Sequence, residues 1–428
     1  MARRTWMITA VGIAIIALAS ASSGSIETAA RPNSSSAPTD PDTNPPVATQ
    51  PPTTKSSPTT TSTAAVTIPA TIPATTTSTT STTSTTTTTT PPNRPFNGAA
   101  FDAVISAATV DKADISVGVA VLRNGVELHT AAFGMQDPFQ SVPATVDTRF
   151  RIASISKMFT AVAIMQLVEA GEIDLDAPFA GQLGFAGPFN DPRVATVTVR
   201  QLMSHTSGFA ASTGIFFGHG VDTWQQAAKD GLGQILKFDP GTAFQYSNTN
   251  YCLLGMLLES VTGQPFETAV RKRVLKPIGI SAHLAPTFDT VDGDALHASS
   301  PGRNYMETLG PAGGWVATPL DIAKLAAALR PDNPGIRLLD PATVDAMRVP
   351  VPVPVEDPPP IDGWSYGLGL ILFGDGSWGH TGTIESTHAV VVNRPDGLTV
   401  SVLVSGKVPS NTDDLLPVID LAVAAASA

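Results

Sequence analysis

Phe150-Arg151-Ile152-Ala153-Ser154-Ile155-Ser156-Lys157-Met158-Phe159 opens a run that Ala161, Val162, Ile164, Met165, Leu167 and Val168 carry on to about Ala170. Residues three and four apart share a helix face, and here every face is apolar. A helix of that kind lies at the centre of a domain, covered on all sides. Ser154 and Lys157 stand one turn apart at its start. A lysine so placed is partly desolvated, which lowers its pKa and leaves some of it neutral as a base. Amides at the helix start, beside Ser154, favour negative charge nearby. The ordinary alternative is a capping serine and a solvated lysine, and a bare Ser-x-x-Lys is too short a pattern to exclude it.

Two further segments change that balance. Pro240-Gly241-Thr242-Ala243-Phe244-Gln245-Tyr246-Ser247-Asn248 leads into an apolar helix through Tyr251, Leu253, Leu254 and Leu257. Gly379-His380-Thr381-Gly382-Thr383 lies on a predicted strand. With these three motifs in order, the sequence resembles the penicillin-recognising serine hydrolases: class C β-lactamases, serine DD-peptidases and related esterases. The resemblance covers Ala99 to Ala428 and includes Leu202-Met203-Ser204-His205-Thr206-Ser207-Gly208 and Ala312-Gly313-Gly314-Trp315. It implies that Ser154 is a nucleophile forming an acyl-enzyme and that Lys157 and the Tyr246 phenol move its proton. It implies that Asn248 bonds the substrate amide and Lys157, and that the strand carrying His380, Thr381 and Thr383 pairs with an extended substrate. Amides of Ser154 and Thr383 would form the oxyanion hole, and a terminal carboxylate would sit near Thr381 and His380. One departure stands out: the family usually carries glycine shortly after the third motif, where this chain has Ile384-Glu385-Ser386.

The residue types make chemical sense unaided. A serine hydroxyl is a poor nucleophile until a neighbour takes its proton. Histidine is the usual partner, which makes His205, directly after Ser204, a tempting decoy. Neither has the strand-turn-helix setting of a nucleophile elbow, so His205 is expected to be a buried structural histidine. Tyr246 has a bland alternative as a core aromatic, His380 as an ordinary strand residue, and Cys252 as inert packing in an apolar helix. A phenol close to the Lys157 cation is expected to ionise more readily than in water.

Around these motifs the pattern is α+β. Ile115 to Leu122 and Glu127 to Phe133 flank Asn124-Gly125, a strong hairpin signal. Tyr366 to Phe373, Trp378 to Thr383, His388 to Asn393 and Leu398 to Val404 are read as further antiparallel strands, separated by Gly-rich turns. Helices are expected at Phe101 to Val110, at Asp413 to Ala426, and through most of Met135 to Gly363, with Thr318-Pro319-Leu320-Asp321 as one clear start. The expected fold is an antiparallel sheet of about five strands drawn from both termini and flanked by helices, with a mostly helical lobe inserted.

Residues 1–21 resemble a cleaved export signal: Arg3 and Arg4, an apolar run from Met7 to Ala19, then Ala19-Ser20-Ala21. A membrane anchor would need about 20 apolar residues. Residues 22–98 are rich in Thr, Ser and Pro, with too little apolar surface to pack, and are expected to be an extended linker or stalk. Residues 99–428 are long enough for a sizeable core. The net charge of −11 disfavours nucleic acid and anionic membrane as partners. No Cys/His cluster with metal-ligand spacing and no nucleotide-binding glycine loop occurs, so neither metal nor cofactor is expected. The expected protein is thus a secreted or cell-envelope serine hydrolase. Its expected substrate is a small-molecule or peptidyl acyl compound, a cell-wall peptide or a β-lactam, with cell-wall association through the linker. A D-Ala-D-Ala carboxypeptidase-like peptidase comes first; the alternatives are a β-lactamase or esterase on the same fold, and a non-catalytic wall-binding module.

Overall fold

Asn124 and Gly125 both have positive φ, +49° and +77°, the backbone a two-residue hairpin turn requires. They join β1 (Ser116–Arg123) to β2 (Val126–Asp137) in the computed structural model. The structure describes residues 95–110, 116–185, 187–211, 213–218, 220–351, 353 and 363–428. The export signal and nearly all of the Thr/Ser/Pro segment, together with Ile115, lie outside them.

Further strands are β3 (Val142–Pro143), β4 (Phe150–Arg151), β5 (His283–Leu284), β6 (Trp315–Ala317), β7 (Ser365–Tyr366) and β8 (Ile371–Leu372). The last three are β9 (Trp378–Ile384), β10 (Thr387–Asn393) and β11 (Leu398–Ser405). An antiparallel sheet of eight runs β3-β2-β1-β11-β10-β9-β8-β7. β1 and β11, from opposite ends of the chain, are direct neighbours in a continuous register from Ser116↔Ser405 to Arg123↔Leu398. The five long strands are those expected. The extra members, β3, β7 and β8, are two-residue edge pieces. Tyr366 to Phe373 is a correction: it forms two short strands around a turn, closed by Gly367 N donating to Leu370 O at 2.9 Å. Gly369 there has φ +79° and packs so closely on Ala161 that a Cβ would lie 2.4 Å from its methyl.

The helices that frame the site are α1 (Gly98–Thr109), α2 (Ser156–Glu169), α3 (Asn248–Thr262), α4 (Pro319–Ala327) and α5 (Leu415–Ser427). Strand alternation sends Val117, Val119, Val121, Val390, Val400, Val402 and Val404 to one face, against Phe101 and Ile105 of α1 and Ile419 and Ala422 of α5. At about 1.5–3 kcal/mol for each fully buried aliphatic side chain, that layer joins the first and last described helices, α1 and α5. The other face carries Ala389, Val391 and Leu403 into the core of the helical lobe. There α2 is buried on all sides, Phe159 packing on Trp315 with ring centroids 5.2 Å apart. A small sheet, β4-β6-β5, was not foreseen and fixes the entry to α2.

Candidate active site

The backbone just before Ser154 is bent by force of its surroundings. Ala153 has φ +46°, a left-handed conformation that L-residues other than glycine adopt rarely and only where held. Ile152 N bonds Trp315 O at 3.1 Å, and the Ser156 hydroxyl accepts from Trp315 N at 3.2 Å. The turn is thereby pinned to β6. Residues Ala153–Ile155 form a 3₁₀ turn, and α2 proper begins at Ser156, two residues later than the serine itself. The side chain of Ser154 stands half-buried at that junction.

Lys157 is fully buried, and its Nζ reaches three oxygens: Ser154 Oγ at 3.1 Å, Asn248 Oδ1 at 2.9 Å and Ala312 O at 2.7 Å. Desolvation brings its pKa from 10.5 down to about 7, against a small opposing effect of Cys252. No carboxylate offsets that burial among its hydrogen-bond partners. Asn248 Oδ1 and Ala312 O are acceptors only, so each fixes one N–H of the amine. The remaining position on nitrogen, a third proton or a lone pair, faces Ser154. In its neutral form the amine therefore aims its lone pair at the hydroxyl. The expected desolvated lysine is present. The third acceptor, Ala312, belongs to the Ala312-Gly313-Gly314-Trp315 segment covered by the resemblance, but its role as a lysine partner was not expected.

Lys157 Nζ stands over the ring of Tyr246, 4.7 Å from its centroid. Part of the ring is accessible, but the hydroxyl is shut off from solvent. Burial raises its pKa well above 10, with Ser154 pulling weakly in the opposite direction. The phenol and Ser154 are close enough for that influence without meeting the geometry of a hydrogen bond. The expectation of an easily ionised phenol is thus corrected: the cation sits over the ring face, and desolvation outweighs it.

β9 borders the cleft. Phe373 N donates to Ser377 O at 2.9 Å, so the next hydrogen-bonded pair across β8 and β9 is Ile371 with Gly379. Odd-numbered residues of β9 therefore aim their N–H and C=O toward β8, and even-numbered ones toward β10. β8 covers only Trp378 and Gly379. Thr381 and Thr383 direct their backbone groups at an edge that no strand pairs with among the described residues. Gly382 between them touches the serine turn: a Cβ there would lie 2.3 Å from Ile152 O and 3.1 Å from Ser154 N. The Thr383 and Ser154 amides consequently border the same space. The Thr383 hydroxyl is engaged by Thr412 Oγ1, so this residue offers the cleft its backbone.

His380 requires a correction. It is 1% exposed, with Nδ1 on the Thr381 carbonyl at 2.6 Å and Nε2 on the Tyr366 hydroxyl at 2.9 Å. The carbonyl only accepts, so Nδ1 carries the proton and Nε2 receives the phenol's. Desolvation, helped by Lys157, lowers its pKa to about 3. His380 is a neutral interior group beneath the edge, with no free face for a substrate carboxylate. The reason is strand parity: it shares the inward face of Gly382.

Ser204, just before His205, has partners of its own. Its hydroxyl is bound to Arg200 O at 2.8 Å and Thr206 Oγ1 at 2.9 Å. His205 is fully buried, as expected. Cys252 is buried too, its thiol pushed up to about 12 by desolvation. Glu385, in the Ile384-Glu385-Ser386 stretch that follows the third motif, accepts from Ser300 N at 2.6 Å and Arg303 NH1 at 3.1 Å, tying the β9–β10 turn to the loop after His297. A cavity of about 220 Å³ beside Arg151, Thr287 and His297 is not lined by Ser154, Lys157 or Tyr246. Among the described residues no group of three or more His, Cys, Asp or Glu gathers to hold a metal ion. No described helix is long and apolar enough to cross a membrane.

Comparison with known proteins adds the following. The beta-lactamase family model matches residues 101–424. Penicillin-binding protein 4 of Amycolatopsis lactamdurans is 30% identical over 346 residues, spanning 74% of this chain and 87% of that protein. Esterase EstB of Burkholderia gladioli is 32% identical over 200 residues, 42% of this chain and 50% of the esterase. Among solved structures, the D-amino acid amidase from Ochrobactrum anthropi SV3, complexed with L-phenylalanine, aligns with a TM-score of 0.64 at 25% identity. That alignment covers 76% of this chain and 97% of the amidase.

Proposed function

The chain belongs to the beta-lactamase family of serine hydrolases, and from that premise we propose that it cleaves an acyl bond through an acyl-enzyme on Ser154. The observation that carries this reading is the buried amine of Lys157, held by two carbonyls so that its free valence faces Ser154. Neutral Lys157 takes the hydroxyl proton as Oγ attacks the substrate carbonyl. The oxyanion gathers between the amides of Ser154 and Thr383, where losing one donor costs roughly 10²–10³ in rate. Tyr246, protonated at neutral pH, gives its proton to the leaving group and recovers one from Lys157. Asn248 holds the lysine and faces the substrate amide. Water then enters, and the same groups run in reverse to release the acid.

The substrate is proposed to be a peptide laid along the open edge of β9, with D-Ala-D-Ala carboxypeptidase-like action on cell-wall peptides as the first reading. Residues 1–21 as export signal and 22–98 as spacer belong to the same proposal, placing residues 99–428 in the cell envelope. The neutrality of His380 favours a second reading, an amidase or esterase whose substrate lacks a terminal carboxylate. The test is turnover of a D-Ala-D-Ala peptide, its C-terminal amide, a cephalosporin and a short-chain ester by one preparation. Preference for the free acid supports the first reading, and preference for the amide or ester the second. Binding without turnover of any of the four contradicts both.

A further inference from the structure

His205 sits just after a short helix, Val199–Met203, whose start is fastened by a capping box of Thr198 and Gln201. Its own φ is +59°, a conformation that needs local support. From there it grips both neighbours of Tyr246. Its carbonyl accepts from Gln245 N at 2.9 Å, and its Nδ1 receives Ser247 N at 3.2 Å. Asn250 Nδ2, in the first turn of α3, reaches the same Nδ1 at 3.0 Å. The imidazole stacks on the Tyr246 ring, centroids 4.2 Å apart and tilted by 35°, with Tyr366 and Tyr251 at 4.9 and 5.3 Å behind it.

An Nδ1 that accepts leaves the proton on Nε2, which is buried with no hydrogen-bond partner among the described residues. A side chain chosen for packing alone would not carry that unsatisfied donor, since an apolar ring would fill the space without it. Histidine supplies a flat ring and an inward acceptor together, at a position fully closed to substrate.

We propose that His205 is a positioning residue, which sets the ring and hydroxyl of Tyr246 for proton transfer; this rests on the role given to Tyr246 above. The two contributions separate by substitution. His205→Asn retains an acceptor and suits a positive φ, but removes the stacking ring. His205→Phe retains a ring and removes the acceptor.

The experiment is single-turnover acylation by a fluorescent penicillin, recording rate constant and labelled amplitude. Each variant should acylate about 10²-fold more slowly, the order expected when a catalytic group moves by about an ångström. The midpoint of the rate against pH should stay near 7, since Lys157 sets it. In a Tyr246→Phe background neither change should slow acylation further, because both act through the missing hydroxyl. The rate constant counts only molecules that label, so partial unfolding lowers the amplitude and leaves the rate intact. If neither ring variant folds, Asn250→Ser, which withdraws one of the two Nδ1 donors, should give a smaller slowing in the same assay. Wild-type rates in the folded variants, or equal slowing with and without the Tyr246 hydroxyl, overturn the proposal. A Tyr246→Phe protein that acylates normally overturns the role of Tyr246, and this proposal with it.

Discussion

Moving from pH 6 to pH 8 should speed acylation about tenfold. Lys157 titrates near 7, so its neutral, proton-accepting form grows from about a tenth of the molecules to about nine tenths. The same burial must appear in stability. The drop from 10.5 to about 7, at about 1.4 kcal/mol per pH unit, costs the charged form about 5 kcal/mol. Between those pH values the unfolded chain holds more protons on this lysine than the folded one, so stability rises with pH across that window. Below about 7 both states are protonated and the whole cost applies. Lys157→Met has no such group: it should not acylate, and its stability relative to wild type should fall as pH rises from 7 toward 10. His380, whose pKa of about 3 owes part of its lowering to Lys157, acts in the acid range, below this window. The assays are quenched-flow labelling with an activated ester from pH 5.5 to 9.5, and urea unfolding at pH 6.5 and 9.5. A rate independent of pH between 6 and 8, or a midpoint above about 9, would refute the desolvated-base reasoning.

Three other outcomes follow from the same geometry. Tyr246→Phe should slow acylation by about 10²–10⁴ with little change in melting temperature and an unmoved pH midpoint; a midpoint that disappears would make the phenol the titrating base. Gly382→Ala should cut acylation by at least about tenfold, since its methyl would stand 2.3 Å from Ile152 O and push β9 off the serine turn; full activity would mean that the strand and turn do not need this contact. A chain beginning at Pro95 should fold and keep full activity. One beginning at Ala99 should melt several degrees lower, having lost the Asn97 cap on α1 and its bond to Ala426 O at 2.9 Å; equal melting curves would count against that tie.

The long elements were legible because their signals are local. A stretch apolar on every face could only be the central helix α2, and Asn124-Gly125 could only be a turn. The lysine's lowered pKa was likewise readable, since burial alone dictates its direction. What escaped was short or non-local. Two-residue strands such as β7 and β8 carry no period, and Gly367 and Gly369 broke the alternation that Tyr366 to Phe373 suggested. The β4-β6-β5 sheet joins segments distant in sequence, pairing Phe150 with Ala317 and His283 with Val316. For Tyr246, sequence supplied the neighbouring charge but not its place over the ring, so the direction came out reversed. His380 was placed at the substrate by its motif. Counting strand parity from Gly382 would have turned it inward.

The central claim is that Ser154 carries the acyl group, and peptide-mapping mass spectrometry of a quenched reaction tests it most directly. The protein is mixed with a β-lactam or an activated ester, stopped in acid within the first turnover, digested and sequenced. The adduct should lie on the peptide containing Ala153-Ser154-Ile155-Ser156, at Ser154, and should be absent from Ser154→Ala. An adduct at Ser204, or one that persists unchanged in Ser154→Ala, would contradict it.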